Sequence, residues 1–311
     1  MTKLTIALLG LALAVPVLAQ QAAAPFTVQE SGRRFYRLDD AVKAIGGGDG
    51  TILVASGRYK DCAIQEAGRV AYRAIEPGKA VFDGGICEGK AALVLRGRDA
   101  VVDGLVFQNM RVGDGNGAGI RLEKGPLTVT NALFRDSQEG ILSADDPSAT
   151  ITVDRSTFSG LGTCEHSAGC AHSLYIGDYG GLVVTRSRFE RGAGGHYVKS
   201  RAARIEVRDS SFDDTAGHAT NYMIDLPAGA TGTISGNTFV QGKDKENHSA
   251  FIAVAAEARN HPSAGLAVSD NRASLAPGVT WPTIFVADWS HEPLRIGANQ
   301  LGKGIGRFET R

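Results

Sequence analysis

An aliphatic residue followed five positions later by phenylalanine or another apolar residue recurs through most of this chain. The pairs are Val102 and Phe107, Val129 and Phe134, Val153 and Phe158, Val184 and Phe189, Val207 and Phe212, Ile234 and Phe239, Val268 and Ala273, and Ile296 and Leu301. Successive members are 23 to 34 residues apart. Asn or Ser sits two before the Phe position at Ser156, Ser187, Ser210, Asn237, Asn271 and Asn299. Segments such as 150–153, 182–185 and 204–207 are short, β-branched and alternating, and Gly, Asp or Asn bounds them. That is strand chemistry. No stretch beyond about residue 46 keeps a helical period. Short strands at such a period predict a parallel β-solenoid. Its Phe ladder is expected inside, and its Asn/Ser column at a turn, where short polar side chains satisfy backbone groups. The 40 glycines against 10 prolines suit a fold with many tight turns.

Met1-Thr2-Lys3 carries one positive charge, an uncharged apolar run covers 4–17, and Val17-Leu18-Ala19 precedes Gln20. This is the pattern of a secretory signal, 1–19, ahead of one domain, 20–311. The run is short for a membrane span, and no later segment is apolar enough to insert. The protein is therefore expected to be secreted or periplasmic. A formal net charge of +0 points to no nucleic-acid partner. Nothing in the sequence specifies an oligomer. Export places Cys62, Cys87, Cys164 and Cys170 where disulfides persist. Of three possible pairings, the repeat favours Cys62–Cys87, one rung apart, and Cys164–Cys170, closing a short loop. A zinc site with His166 and His172 is the alternative, though the spacings match no known zinc motif.

A solenoid needs covered ends. Arg37-Leu38-Asp39-Asp40 leads into 41–45 and then Gly46-Gly47-Gly48. Asp39 or Asp40 is the expected N-cap and the glycines the stop of a short capping helix. The coils begin with 51–54 and 57–59. The helix, the stretch GDGTILVASGRY and the Phe ladder together resemble the pectate-lyase-like right-handed parallel β-helix superfamily over nearly the whole mature chain. The resemblance implies a single right-handed parallel β-helix. Its members include lyases, hydrolases, epimerases and non-catalytic adhesins, so activity must be argued from the site.

One strand of each coil aligns on a buried aliphatic: Ile120, Ile141, Leu174, Val198, Ile224, Ile252 and Phe285. Neighbours at one before, one after and three after should point outward. This stacks Arg121, Leu142, Tyr175, Lys199 and Asp225, with Arg201 beside Lys199. His172, His196 and Tyr222 precede their strands by one shared offset. Turn 160–171, with His166, is expected to wall one side, and turns 213–221 and 241–247 the other. A structural reading competes: solenoids carry polar ladders, and a surface Lys–Asp pair contributes little.

A groove with Arg and Lys suits an acidic, uronic-acid-containing polysaccharide, and such Lys and Arg pairs resemble those of some alginate-type β-helix lyases. β-Elimination needs a cation to neutralise the carboxylate, a base for C5–H and an acid for the leaving oxygen. Arg201, helped by His196, is the expected neutraliser, Lys199 the first candidate base with Tyr175 or His172 as replacements, and Tyr175 the expected acid. Asp225, Tyr222, His166 and Arg121 are expected at the substrate. Three alternatives stay open. A C5-epimerase shares the first proton abstraction, but His261-Pro262 lacks the Asp of the Asp-Pro-His signature. A glycoside hydrolase needs paired carboxylates, for which Asp145, Asp146, Asp178 and Asp225 are candidates. A non-catalytic glycan-binding or structural solenoid would use Trp281, Trp289 and Phe251. Calcium needs clustered carboxylates. Asp103, Asp154, Asp209 and Asp270 recur in turns, but they shift by one between rungs and turn capping explains them, so neither metal nor cofactor is expected.

Overall fold

The computed structural model describes residue 2, residues 24–165 and residues 169–311. The expected signal segment, apart from Thr2, and His166 lie outside the described residues.

The β-branched segments form three sheets that wind around one core. The first sheet has 12 strands, and the second and third have 10 each. Phe26–Val28 pairs antiparallel with Arg34–Phe35 and with Asp49–Val54, and from there on the pairing is parallel. The repeat maps onto this directly. Val102, Val129, Val153, Val184, Val207, Ile234, Val268 and Ile296 align in the first sheet. Their Phe partners align in the second, where the rings of Phe107, Phe134, Phe158, Phe189, Phe212 and Phe239 stack at 4.7–5.1 Å between centroids. Phe82 adds a rung before them at 5.6 Å. Offset stacking of buried rings adds to their area burial.

The Asn/Ser column lies at the bend between these two sheets. Each side-chain oxygen accepts the backbone N–H of the equivalent residue one rung earlier: Ser187 from Ser156, Ser210 from Ser187, Asn237 from Ser210, Asn271 from Asn237 and Asn299 from Asn271. A bend withdraws those amides from the sheet ladder, and the column pairs them again. The Asp103 and Asp154 side chains bond side chains of the next rung and not the backbone of their turns. Asp103 accepts from Thr130 and Asn131, and Asp154 from Thr185 and Arg186.

The capping helix spans Leu38–Ile45 and stops at Gly46, whose φ of 61° suits glycine. Its N-terminus corrects the expectation. Asp39 and Asp40 lie inside the first turn, and Asp61 from a neighbouring coil accepts the Leu38 N–H at 2.9 Å. A carboxylate delivered by tertiary packing thus replaces a local cap. Both disulfides have the favoured pairing, Cys62–Cys87 and Cys164–Cys170. With its sulfurs joined, the second pair offers no thiolates to zinc. Among the described residues no helix is long and apolar enough to cross a membrane.

The third-sheet alignment needs two corrections. The position before each buried aliphatic faces inward. There Gly119 and Gly140 let the Phe ladder pass, since a Cβ would come within 2.7 Å and 2.8 Å of the Phe134 and Phe158 rings. Tyr197, Met223 and Phe251 occupy the same position in later rungs and are buried. In the last rung Val286, not Phe285, pairs with Ile252. Ala273 leaves no ring above Phe239, and Phe251 and Phe285 turn into that space edge-on to Phe239. Phe251 is therefore a core residue and not a sugar platform.

Candidate functional site

The third sheet carries a groove of about 410 Å³ on its outer face. Its floor follows from strand register. Arg121 pairs with Leu142, Leu142 with Tyr175, Tyr175 with Lys199 and Lys199 with Asp225. Period-two alternation sends all of these outward while Ile120, Ile141, Leu174, Val198 and Ile224 stay buried. His172 and His196 stack along one edge with ring centroids 4.9 Å apart, and Tyr222 backs His196 at 5.6 Å. Gly195, at φ 61°, permits that approach, because a Cβ there would come within 2.5 Å of His172 Nδ1.

Lys199 is the electrostatic centre. Its Nζ lies 3.1 Å from Asp225 Oδ2 and 2.5 Å from Glu257 Oε1. The other Glu257 oxygen takes Arg201 at 2.6 Å. Burial opposes charge on Lys199, yet the two carboxylates outweigh it and raise its pKa. Lys199 is therefore a cation in this arrangement, which opposes the role of base. Burial opposes charge on Glu257 too, but Lys199 and Arg201 hold its carboxyl down at about 2. Asp225 lies under Lys199, and burial pushes its carboxyl up to about 6 against the lysine's pull. Burial, then Lys199, lowers His196 to about 3, and burial with His196 takes His172 well below its ordinary value. Both imidazoles are neutral near pH 7. His172 Nδ1 accepts the His196 backbone N–H at 3.0 Å, so its proton sits on Nε2. Arg201 Nε faces the Tyr175 hydroxyl at 3.5 Å, and the Arg201 guanidinium and Lys199 ammonium each lie 6.0 Å from the Tyr175 ring centre.

Register reasoning thus brought Lys199, Arg201, Tyr175, His172 and His196 into one groove, with Asp225 beneath and Tyr222 behind. Arg121 stands at the end of the same floor, in an adjoining hollow. Two residues went unnoticed. Glu139 precedes Ile141 by the offset that places His172 and His196, so extending their column one rung would have found it. Glu257 comes from a loop with no repeat signal.

The walls also differ from expectation. The described residues of turn 160–171 (160–165 and 169–171) and turns 213–221 and 241–247 all lie between the second sheet and the third. In a parallel coil such connections stack on one edge, so together they form a single wall. Cys170, Asn221 and Glu246 line it. It rests on buried Asp214, whose Oδ1 accepts from Tyr197 at 2.7 Å and Thr220 at 2.8 Å while Lys245 Nζ lies 3.2 Å from Oδ2. The opposite wall is the loop after Ala250–Val254, which supplies Glu257 and ties His261 to Asp178 at 3.0 Å. Asp145 Oδ1 accepts the Asp178 N–H, and the two Asp146 oxygens accept those of Gly125 and Ser148.

The family described as right handed beta helix region matches residues 91–275. The chain belongs to that family. This right-handed β-helix is similar to the crystal structure of an alginate lyase from Paenibacillus sp. str. FPU-7. The TM-score is 0.65 at 16% identity, over 88% of this chain and 94% of that one. It is also similar to a pectin methylesterase from Aspergillus niger, at TM-score 0.46 and 11% identity, over 93% of this chain and 86% of that one. A surface protein and adhesin of Streptococcus pneumoniae matches at TM-score 0.39 and 10% identity, over 88% and 94%. At 16% identity the likeness to the alginate lyase shows the fold alone. No curated protein sequence matches the chain.

Proposed function

We propose that this protein is an exported polysaccharide lyase that cleaves a uronic-acid-containing polymer by β-elimination. One observation carries the reading: Lys199 and Arg201 jointly grip a carboxylate, that of Glu257, on the floor of an open groove beside a phenol. Two cations converging on one carboxylate are what a uronate needs for its C5 proton to become acidic. The alginate lyase of similar fold is consistent with such a substrate.

In this reading the substrate carboxylate takes the place of Glu257 against Lys199 and Arg201. Asp225 keeps Lys199 charged from below. Tyr175 takes the base role first expected of Lys199: its hydroxyl first gives up its own proton to solvent, Arg201 Nε stabilises the resulting phenolate, and the phenolate oxygen then accepts the C5 proton. The C4–O4 bond breaks as the C4–C5 double bond forms, and the proton passes to the leaving O4. The His172 Nε2–H is a fixed donor for a substrate oxygen. Of the hydrolase candidates, Asp145 and Asp146 are engaged by backbone amides, which leaves that alternative to Asp225 and Glu257 on either side of Lys199.

The test offers a panel of uronate polymers to the purified protein and follows the ultraviolet absorbance of the unsaturated product. The expected result is a rise that disappears in Tyr175→Phe and Lys199→Ala. Deuterium uptake at C5 from heavy water without that rise would instead make the protein an epimerase. Release of saturated reducing ends would make it a hydrolase.

A further inference from the structure

Two polar side chains in the early rungs of the groove have atoms that no neighbour satisfies. Glu139 is 1% exposed, and neither carboxylate oxygen makes a well-formed hydrogen bond, the His172 N–H being its one weak polar neighbour. Arg121 Nε is likewise buried without a partner, and its nearest carboxylate, Glu123, is 3.8 Å away. Orphaned buried groups are costly, so a native fold meets them with a ligand, an ion or ordered water, or keeps them for chemistry. Glu139 lines the main groove beside His172. Arg121 and Leu142 line the adjoining hollow of about 290 Å³, and Asn116 borders both. The two spaces are therefore neighbours along the floor. The order along that floor is cation, aliphatic, phenol, cation: Arg121, Leu142, Tyr175, Lys199.

We infer that Arg121 and Glu139 form a second carboxylate subsite, which holds another uronate of the same chain against Leu142. The inference rests on the lyase reading for the nature of the polymer. Arg121 lies three rungs from Lys199, about 14 Å at ordinary strand spacing, so the second uronate is not the neighbour of the one being cleaved but a unit further along. Burial, abetted by the Asp114 charge, holds the Glu139 carboxyl well above the usual range against the pull of the His172 amide and of Arg121. It therefore meets the substrate as an uncharged acid whose O–H can donate to a carboxylate that Arg121 neutralises. Leu142 offers the apolar face of a sugar ring a dry support. Asp114 is turned to its own loop, accepting the Asn116 N–H at 3.1 Å.

The test measures affinity and turnover for oligouronates of increasing length. Wild-type affinity is expected to step up at the length that reaches Arg121. Arg121→Gln should lose that step, about tenfold for loss of one charge-assisted contact. Arg121→Lys should keep most of it. Glu139→Gln, which retains a donor, should also keep it, and Glu139→Ala should lose part. An identical length profile in wild type and Arg121→Gln overturns the subsite, while cleavage in the same experiment leaves the lyase reading standing. An Arg121-dependent step with no cleavage supports the subsite and removes the lyase reading. No binding of any oligouronate removes both.

Discussion

Glu257→Gln is the perturbation that most directly probes the groove. The Glu257 side chain is 46% exposed, and its two oxygens contact Lys199, 9% exposed, at 2.5 Å and Arg201, 30% exposed, at 2.6 Å. Exposed ion pairs contribute about 0.2–1 kcal/mol each. One carboxylate shared by two cations, one of them nearly buried, should therefore contribute about 1–2 kcal/mol. If a substrate carboxylate must displace Glu257, that quantity is lost on every binding event, and removing the charge returns it. The glutamine variant should then bind an oligouronate about tenfold more tightly, since 1.4 kcal/mol is a factor of ten. The same change should lower folding stability by about 1 kcal/mol, because the free protein loses the same two pairs. Titration calorimetry with an oligouronate gives the first quantity and urea unfolding the second. Weaker binding would refute the reasoning, for Glu257 would then be holding Arg201 in place for the substrate and not standing in its way.

Stability should depend on pH in a manner set by the buried histidines. His196 titrates at about 3 against an ordinary 6.5, and burial also lowers His172, so the unfolded chain binds protons that the native state refuses. Stability should fall as pH drops below about 6.5, the His196 share of that loss ending near 3, and urea midpoints across that range should flatten in a His172→Asn/His196→Asn variant. Asp225, raised from 3.8 to about 6, acts in the opposite sense between those values, so Asp225→Asn should steepen the acid-side loss. Asp214→Ala leaves the Lys245 ammonium buried without its carboxylate and should cost about 3–5 kcal/mol in urea unfolding. An apolar pair at Asp214 and Lys245 should recover most of this, and failure to do so would mean that the bonds from Tyr197, Thr220 and Gly242 to Asp214 matter more than the ion pair.

What the sequence determined by itself was everything periodic. A ladder of Phe107, Phe134 and Phe158 can bury its rings only if the coils stack in register, so rung order, the Asn/Ser bend and the outward floor of Tyr175, Lys199 and Asp225 all follow from spacing. Strand alternation then leaves a side chain one choice of face. Tertiary structure decided what lies off the period. Glu257 reaches Lys199 across 58 residues from a loop whose path depends on its anchoring at the Pro227 carbonyl. Asp61 caps a helix it does not precede. Phe285 leaves its column because Ala273 left room beside Phe239. The charge on Lys199 was equally undecided, because Arg201 and Asp225 pull its proton in opposite directions and only the placement of Glu257 beside it settles the balance. Spacing specifies neighbours along a repeat, whereas protonation depends on every charge and on the water excluded around it, and only the folded chain brings those together.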